Sequence, residues 1–202
     1  MNQRDLYNYL DQSVGFGSKE IAQVFKVVDR ADFVPISFRE EAYFDYPLPI
    51  AEEQTISQPS TVLFMLNLLD PKKGEKILDV GSGSGWTTAL LAQIVGSRGE
   101  VQGVEVVPEL VEFGRKNLAK YKFKQAAISA AGQTVGLPRS APFDKILVSA
   151  TAAELPQQLI DQLKVGGVMV TPIGYSVWKI KKISEKETEM EEFPGFAFVP
   201  LK

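Results

Sequence analysis

Hydrophobic and polar positions alternate in two ways along the chain, and the pattern changes near residue 72. Before that point apolar residues recur at helical spacing. This spacing predicts helices over residues 5–12, 18–29 and 59–69. Ser18 can cap the second helix, and Pro59 suits the first turn of the third. Residues 32–59 follow no clear period, so we predict a long irregular connection, a kind of segment that is often functional.

After residue 72, short apolar runs alternate with helical patterns. We predict strands over residues 76–80, 101–105, 126–129, 145–148 and 168–171, and helices over 86–95, 108–120 and 155–163. Two closing strands, predicted as antiparallel, cover residues 177–183 and 196–199. Strand–helix alternation is typical of a parallel sheet covered on both faces. The predicted fold class is therefore α/β: a doubly wound, mostly parallel sheet with N-terminal helices and an antiparallel C-terminal strand pair.

Composition excludes several kinds of chemistry. The 202 residues include neither cysteine nor histidine, which excludes disulfides, thiolate nucleophiles, histidine-ligated metals and Ser-His-Asp triads. We expect no metal site. The net charge of −3 argues against nucleic-acid binding. The longest apolar run, residues 61–69, is too short to span a bilayer, and the first residues do not form a signal peptide. We therefore expect a cytoplasmic protein that binds no membrane.

A glycine-rich loop, DVGSGSG over residues 79–85, joins a predicted strand to a predicted helix. Glycines in such a loop allow positive φ and close approach of a ligand. The spacing is GxGxG, not the GxGxxG of dinucleotide binders, and Asp79 suits an amine better than a pyrophosphate. Glu105, which ends the next strand, can accept ribose hydroxyls. These features favour S-adenosylmethionine over NAD, although a simple tight turn and a solvated strand end would leave the same pattern.

Ordered sequence blocks extend along nearly the whole chain. They read DFVP at 32–35, AYFDYPLPI at 42–50, QTISQP at 54–59, the glycine loop, PELVE at 108–112, APFD at 141–144, LKVGG at 163–167 and FVPL at 198–201. In these blocks the chain resembles the protein-L-isoaspartate O-methyltransferase family. The QTISQP block is the most specific of them.

The resemblance implies a Rossmann-like class I methyltransferase that forms a single domain over residues 1–202. Residues 1–70 would form an N-terminal helical and substrate-loop region, and residues 71–202 the cofactor-binding core. The family methylates the α-carboxyl group of L-isoaspartyl residues in damaged proteins or peptides and leaves S-adenosylhomocysteine. The ester then collapses to a succinimide, which partly reopens to aspartate. We expect a monomer, because the sequence has no long apolar stripe to mark a partner face.

The resemblance also implies the site residues. Its substrate-facing loop comprises Gln54, Thr55, Ile56 and Ser57, and Ser57 matches the catalytic hydroxyl that touches the reacting carboxylate. The cofactor residues would be Asp79, Gly81, Ser82, Gly83, Gly85, Glu105 and Gln133. Ser57 or Gln58 would alternatively cap the helix that begins at Pro59. A carboxylate is already ionised at neutral pH and needs no general base, so this chemistry is compatible with a chain that lacks histidine.

The chain departs from the family pattern in three places. Residues 51–53 read AEE where the family usually has glycines, which restricts φ and puts two carboxylates near an anionic substrate. Residues 129–136 read SAAGQTVG where the family usually has Gly-Asp-Gly, so Gln133 would have to replace an acid. Ala197 stands where relatives often carry a basic residue. Two alternatives therefore stay open: a different carboxylate acceptor in a specific peptide, or a catalytically degenerate S-adenosylmethionine-binding protein.

Overall fold

The computed structural model describes residues 1–200, so Leu201 of the FVPL block and Lys202 lie outside the described residues. The helices are α1 (Gln3–Ser13), α2 (Lys19–Val27), α3 (Pro59–Leu69), α4 (Trp86–Val95), α5 (Pro108–Ala119) and α6 (Gln157–Asp161). The strands are β1 (Leu48–Pro49), β2 (Thr55–Ile56), β3 (Lys76–Val80), β4 (Glu100–Glu105), β5 (Ala126–Ala130), β6 (Phe143–Val148), β7 (Leu163–Ile173), β8 (Ser176–Ser184) and β9 (Glu187–Pro194). Among the described residues, no helix is long and apolar enough to cross a membrane.

Seven strands form one sheet in the order β5-β4-β3-β6-β7-β8-β9. Strands β3 to β7 pair in parallel, whereas β8 and β9 are antiparallel to their neighbours. This confirms the predicted fold class. The chain first runs outward from β3 to β4 and β5, and then returns to β6 on the other side of β3. Such a reversal opens a crevice at the carboxyl ends of the central strands, where ligands bind in open α/β sheets.

The two faces of the sheet bury different cores. Ile77 and Leu78 are adjacent in β3 and therefore point to opposite faces. Ile77 belongs to the larger core, which helices α1 to α5 cover. Leu78 belongs to a smaller core that is covered by α6 together with side chains from residues 135–141. The second face is thus covered mainly by irregular chain, and this chain reaches the carboxyl edge of the sheet.

Local signals placed most helices correctly. The hydroxyl of Ser18 accepts a hydrogen bond of 3.1 Å from the N–H of Ile21 and caps α2, as predicted. Pro59 opens α3, where its missing N–H leaves no bond unmade. The predicted bounds of β3 and α4 match the structure.

The predicted helix over residues 155–163 is wrong in extent, because α6 spans only Gln157–Asp161. Leu163 instead begins β7, where it pairs with Phe143 of β6. The predicted strand over 168–171 is the interior of this longer strand. Tertiary pairing at Leu163 has overridden the local helical pattern.

The closing strand predicted over residues 196–199 is also wrong, because the last strand is β9. Opposite charges face each other across β8 and β9, with Lys179 beside Glu191 and Lys181 beside Glu189. Such pairs stabilise an exposed antiparallel ladder although they give no hydrophobic alternation. The aromatic side chain of Phe196 stacks on Phe64 of α3, with ring centroids 5.1 Å apart.

The irregular connection contains more structure than predicted. Two 3₁₀ helices, Arg30–Asp32 and Ile36–Glu41, precede a hairpin formed by β1 and β2. Leu48 pairs with Ile56 in this hairpin, and both side chains are buried. The hairpin is therefore packed into the larger core through these two residues.

Candidate functional site

A cleft opens at the carboxyl ends of β3, β4 and β6, at the reversal of the strand order. It holds about 1050 Å³ of empty space, part of it open to solvent. Nine of the predicted site residues line it: Gln54, Thr55, Ile56, Ser57, Gly81, Ser82, Gly83, Glu105 and Gln133. The substrate segment and the glycine loop, far apart in the sequence, therefore face the same space.

The glycines of the loop have different surroundings. Gly81, Gly83 and Gly85 have φ values of 75°, 50° and 84°, a region that side chains rarely adopt. Gly81 and Gly83 line the cleft. Gly85 does not, and a Cβ there would lie 3.0 Å from the carbonyl oxygen of Gly114 in α5. Gly85 therefore allows α4 and α5 to pack closely and is placed away from the predicted ligand.

Asp79 lies beneath the loop, and it does not line the cleft. Its side chain is fully buried, and Oδ2 accepts hydrogen bonds from the hydroxyls of Thr87 at 2.7 Å and Thr88 at 2.6 Å. Oδ1 is buried and has no partner within residues 1–200. Burial raises the pKa of Asp79 to about 6, and the negative charge of Glu105 adds to this, while the two threonine bonds oppose it. An unpaired buried carboxylate oxygen suits a cation, so the contact between Asp79 and a ligand amine stays a prediction.

Glu105 is bound on both carboxylate oxygens and is only 6% exposed, so the interpretation as a solvated strand end is wrong. Oε2 accepts a hydrogen bond of 2.8 Å from the N–H of Gly83. Oε1 accepts the N–H groups of Val106 at 2.8 Å and Val107 at 3.0 Å, just before α5. Because a carboxylate offers about four acceptor positions, about one remains free on Oε2. Glu105 thus orders the glycine loop and keeps room to accept a ligand hydroxyl.

Ser57 lies at the cleft, immediately after β2. The residue that caps α3 is Gln58, and its side chain makes no bond to the helix. Oδ1 of Asp45 accepts the N–H of Ser60 at 2.8 Å instead, while Oδ2 accepts Nε2 of Gln58 at 3.0 Å. The alternative role of Ser57 as the helix cap is therefore wrong, and the role of its hydroxyl at the cleft stays a prediction.

The hairpin between β1 and β2 turns on two glutamates. Glu52 and Glu53 have φ values of 49° and 59°, and the N–H of Gln54 donates to the carbonyl of Ala51 at 2.8 Å. Two successive positive φ values characterise the type I′ turn, which prefers Asn-Gly. Each costs a side-chain-bearing residue about 1–2 kcal/mol. The missing glycines therefore strain the turn, and both carboxylates are exposed at the tip of a hairpin that borders the cleft.

Gln133 belongs to the irregular chain that follows β5. It is exposed and lines the cleft, and this part of the wall carries no acidic residue. The chain is held here by the N–H of Ala131, which donates to the carbonyl of Glu105 at 2.8 Å. Apolar side chains of Val106, Leu110 and Val135 also line the cleft and suit a flat heteroaromatic ring. The contact between Gln133 and such a ligand stays a prediction.

Sequence reasoning missed Arg30, which is only 2% exposed. Its guanidinium donates to four backbone carbonyls, those of Ala42, Phe44, Tyr46 and Ser57, at 2.8, 3.2, 3.0 and 3.1 Å. Burial lowers the pKa of Arg30 to about 10, and the charges of Asp45 and Tyr46 oppose this. Arginine is rarely buried, and its partners here are carbonyl groups that no residue type reveals. The only signal was its position just before the DFVP block.

Comparison with known proteins agrees with this geometry. The family model "Protein-L-isoaspartate(D-aspartate) O-methyltransferase (PCMT)" matches residues 1–202. A protein-L-isoaspartate O-methyltransferase from Methanopyrus kandleri is 42% identical over 196 residues, covering 94% of this chain and 87% of that protein. The namesake from Pyrococcus horikoshii is 36% identical over 213 residues, covering 100% of this chain and 96% of its own.

Among solved structures, the fold matches a Plasmodium falciparum protein described as a protein-L-isoaspartate O-methyltransferase, in complex with S-adenosyl-L-homocysteine. The TM-score is 0.87 at 27% sequence identity, over 100% of this chain and 99% of that one. The similarity therefore includes the N-terminal helices and the hairpin as well as the central sheet. The chain belongs to the protein-L-isoaspartate O-methyltransferase family.

Proposed function

We propose that this protein transfers a methyl group from S-adenosylmethionine to the α-carboxylate of L-isoaspartyl residues in damaged proteins or peptides. The observation that carries the proposal is the shared cleft. Ser57 and its neighbours form one wall, and the glycine loop with Glu105 forms another. A transfer between two bound molecules requires such an arrangement, because donor and acceptor must meet in one space.

The residues of the second wall suit S-adenosylmethionine. The free acceptor position of Glu105 suits a ribose hydroxyl. Beneath this wall, the unpaired and buried Oδ1 of Asp79 supplies negative charge that would attract the ammonium group. Gly81 and Gly83 let the backbone come close to the ligand, and Gln133 would bind the adenine amine through its amide oxygen. When bound, the cofactor supplies an electrophilic sulfonium methyl group.

The residues of this chain would orient the acceptor carboxylate, and none of them is needed as a general base. The acceptor carboxylate is ionised at neutral pH and needs no group to remove a proton, which agrees with the absence of histidine. The hydroxyl of Ser57 would donate a hydrogen bond to one carboxylate oxygen and so aim the other at the methyl group. Such orientation accounts for a large part of the acceleration of two-substrate reactions.

Methyl transfer from labelled S-adenosylmethionine tests the proposal. The acceptors are an isoaspartyl peptide and its aspartyl twin, which differ only in the linkage. Base-labile label on the isoaspartyl peptide alone supports the proposal. No label on either peptide, with cofactor binding intact by calorimetry, contradicts it.

A different carboxylate acceptor is a second candidate, and the glutamates at the hairpin tip favour it. Glu52 and Glu53 border the cleft where an anionic peptide would approach, and like charges repel. Labelling of a peptide mixture, followed by identification of the methylated residue, separates this candidate from the first. A non-catalytic binder, favoured by Gln133 in place of an acid, would bind cofactor and label nothing.

We further propose that the chain acts as a monomer without nucleic-acid or membrane partners. The net charge of −3 supports the absence of a nucleic-acid partner. Sedimentation equilibrium with and without cofactor measures the oligomeric state directly. The cytoplasmic location and the single domain over residues 1–202 stay predictions.

A further inference from the structure

We infer that Arg30 is a positioning residue, which holds the acceptor-binding segment in register with the cofactor loop. The effect on turnover rests on the proposed function, whereas the effect on the segment itself does not. Arg30 lies between α2 and the irregular connection, and its side chain extends into the core behind the cleft. It need not contact substrate or cofactor to act in this way.

The guanidinium ties distant parts of the acceptor segment to one point. Nη1 donates to the carbonyls of Ala42 and Phe44, and Nη2 to those of Tyr46 and Ser57. All four Nη hydrogens are therefore used, although Nε has no partner within residues 1–200. The carbonyl of Ser57 belongs to a residue that lines the cleft. Arg30 thus fixes the backbone that carries the Ser57 hydroxyl.

The same guanidinium also contacts the cofactor side of the cleft. It lies 5.4 Å from the centroid of the Trp86 ring, within the range of a cation–π interaction. Trp86 is the first residue of α4, directly after the glycine loop, and it lines the cleft. One buried side chain therefore connects the backbone of the acceptor wall to the start of the helix that follows the cofactor loop.

A lysine at position 30 could not make the four hydrogen bonds of Arg30. An ammonium group is a compact charge with three donors, whereas the planar guanidinium reaches four carbonyls in fixed directions. Loss of these bonds would leave the buried carbonyl of Ala42 and three partly buried carbonyls without donors, so the segment would rearrange to satisfy them. Among residues 42–57 only β1 and β2 pair as strands, with each other, so Arg30 is a main source of order for the rest. A shift of about 1 Å at Ser57 would slow methyl transfer by about 100-fold.

The test compares Arg30→Lys with a control variant, Lys182→Met. Lys182 is another buried cation and is 4% exposed. Its Nζ donates to the carbonyl of Leu163 at the start of β7, at the edge of the sheet opposite to the cleft. Both variants lose a buried charge-assisted bond and should lower thermal stability, but only Arg30→Lys should disturb the cleft. Three quantities are measured well below the melting temperature: amide exchange over residues 42–57, affinity for S-adenosylhomocysteine, and kcat with an isoaspartyl peptide.

For Arg30→Lys we expect exchange over residues 42–57 to accelerate by about tenfold or more, because these amides would open locally. We expect kcat to fall by about 10- to 100-fold, with cofactor affinity within about threefold of the parent. The control should keep all three parental values. Parental exchange and kcat in Arg30→Lys, or equal losses in both variants, would overturn the inference.

A measurement on the unaltered protein covers the case in which Arg30→Lys does not fold. The Nη hydrogens of Arg30 should exchange with solvent far more slowly than those of the exposed Arg39, because all four are bound and buried. Equal rates would overturn the inference. If the unaltered protein methylates no isoaspartyl peptide, the proposed function fails, whereas both exchange measurements still decide the role of Arg30.

Discussion

The hydroxyl of Thr88 lies 2.6 Å from Oδ2 of Asp79, and both side chains are fully buried beneath the glycine loop. The two threonine hydroxyls are the only donors to this carboxyl group within residues 1–200. These two hydrogen bonds do not compensate for the hydration that the carboxylate loses on burial, so burial raises the pKa of Asp79 to about 6. Without a bound cation, the ionised side chain of Asp79 therefore destabilises the folded protein at neutral pH.

This destabilisation predicts that the free energy of unfolding depends on pH, and that Asp79→Asn removes this dependence. The folded protein holds the proton of Asp79 up to pH about 6, whereas the unfolded chain loses it near the ordinary pKa of an aspartate, 3.8. Between these values the folded state binds more protons, so the free energy of unfolding falls as pH rises. The contribution is on the order of 3 kcal/mol. Urea unfolding of the cofactor-free protein from pH 4 to pH 7 measures it, with the exposed Asp11→Asn as control. The same slope in Asp79→Asn and its parent would contradict the prediction.

Glu105→Gln should weaken S-adenosylhomocysteine binding by about tenfold, because a hydrogen bond to a charged acceptor is replaced by one to a neutral amide. The bond from the N–H of Gly83 should weaken as well, which loosens the loop. Calorimetry measures the affinity. Glu109→Gln is the matched control, since Glu109 is exposed in the first turn of α5 and does not line the cleft. Equal affinities of the two variants for S-adenosylhomocysteine would show that Glu105 does not bind the cofactor.

The fold could be predicted where local signals and tertiary pairing agree. The bounds of β3 and α4 follow from an apolar run, glycines and the next breaker, and the structure keeps them. Leu163 shows the opposite case, since its helical neighbours predict a helix but Phe143 pairs with it in the sheet. That pairing partner lies 20 residues earlier in the sequence. No local pattern contains it.

The candidate site divides in the same way. The positions of Gly83 and Glu105 at one cleft follow from the order of strands, because strand ends meet at one edge of a parallel sheet. The position of Ser57 beside them follows only from the family resemblance, because Ser57 lies outside that sheet. The bonds made by Arg30 do not follow, because they end on backbone carbonyls, which every residue carries. The strain at Glu53 was foreseeable only because the family has glycine there.

Ser57→Ala should lower kcat with an isoaspartyl peptide by about tenfold and leave cofactor affinity unchanged, because it removes one hydrogen bond to a charged acceptor. Stability should change little, since the N–H of Ser60 in the first turn of α3 is bound by Asp45 and does not need Ser57. Steady-state kinetics together with calorimetry separates the two effects. Ser13→Ala, an exposed hydroxyl at the end of α1, is the control. Parental turnover in Ser57→Ala would show that the hydroxyl plays no part.

The backbone strain at Glu53 predicts that two substitutions of this residue differ in their effect on the free energy of unfolding. Glu53→Gly and Glu53→Ala both remove the carboxylate, but only glycine adopts the φ of 59° without strain. The free energy of unfolding should therefore be higher for Glu53→Gly than for Glu53→Ala by about 0.5–1 kcal/mol, after the larger entropy of glycine in the unfolded chain is subtracted. Urea unfolding at one pH measures the difference. Equal stability, or a more stable alanine variant, would show that the turn relaxes without cost.

The exposed carboxylates of Glu52 and Glu53 should make the protein prefer isoaspartyl peptides with basic neighbours. A peptide flanked by lysines should have a lower KM than one flanked by glutamates, by about two- to fivefold at low salt, because exposed charge pairs contribute little each. The preference should shrink as ionic strength rises, since salt screens exposed charges. The double variant Glu52→Gln, Glu53→Gln should lose it while kcat stays the same. Glu40→Gln, Glu41→Gln removes two charges from the 3₁₀ helix instead and should keep the preference. If the double variant at the hairpin tip keeps the parental ratio of KM values, these carboxylates do not contribute to peptide selection.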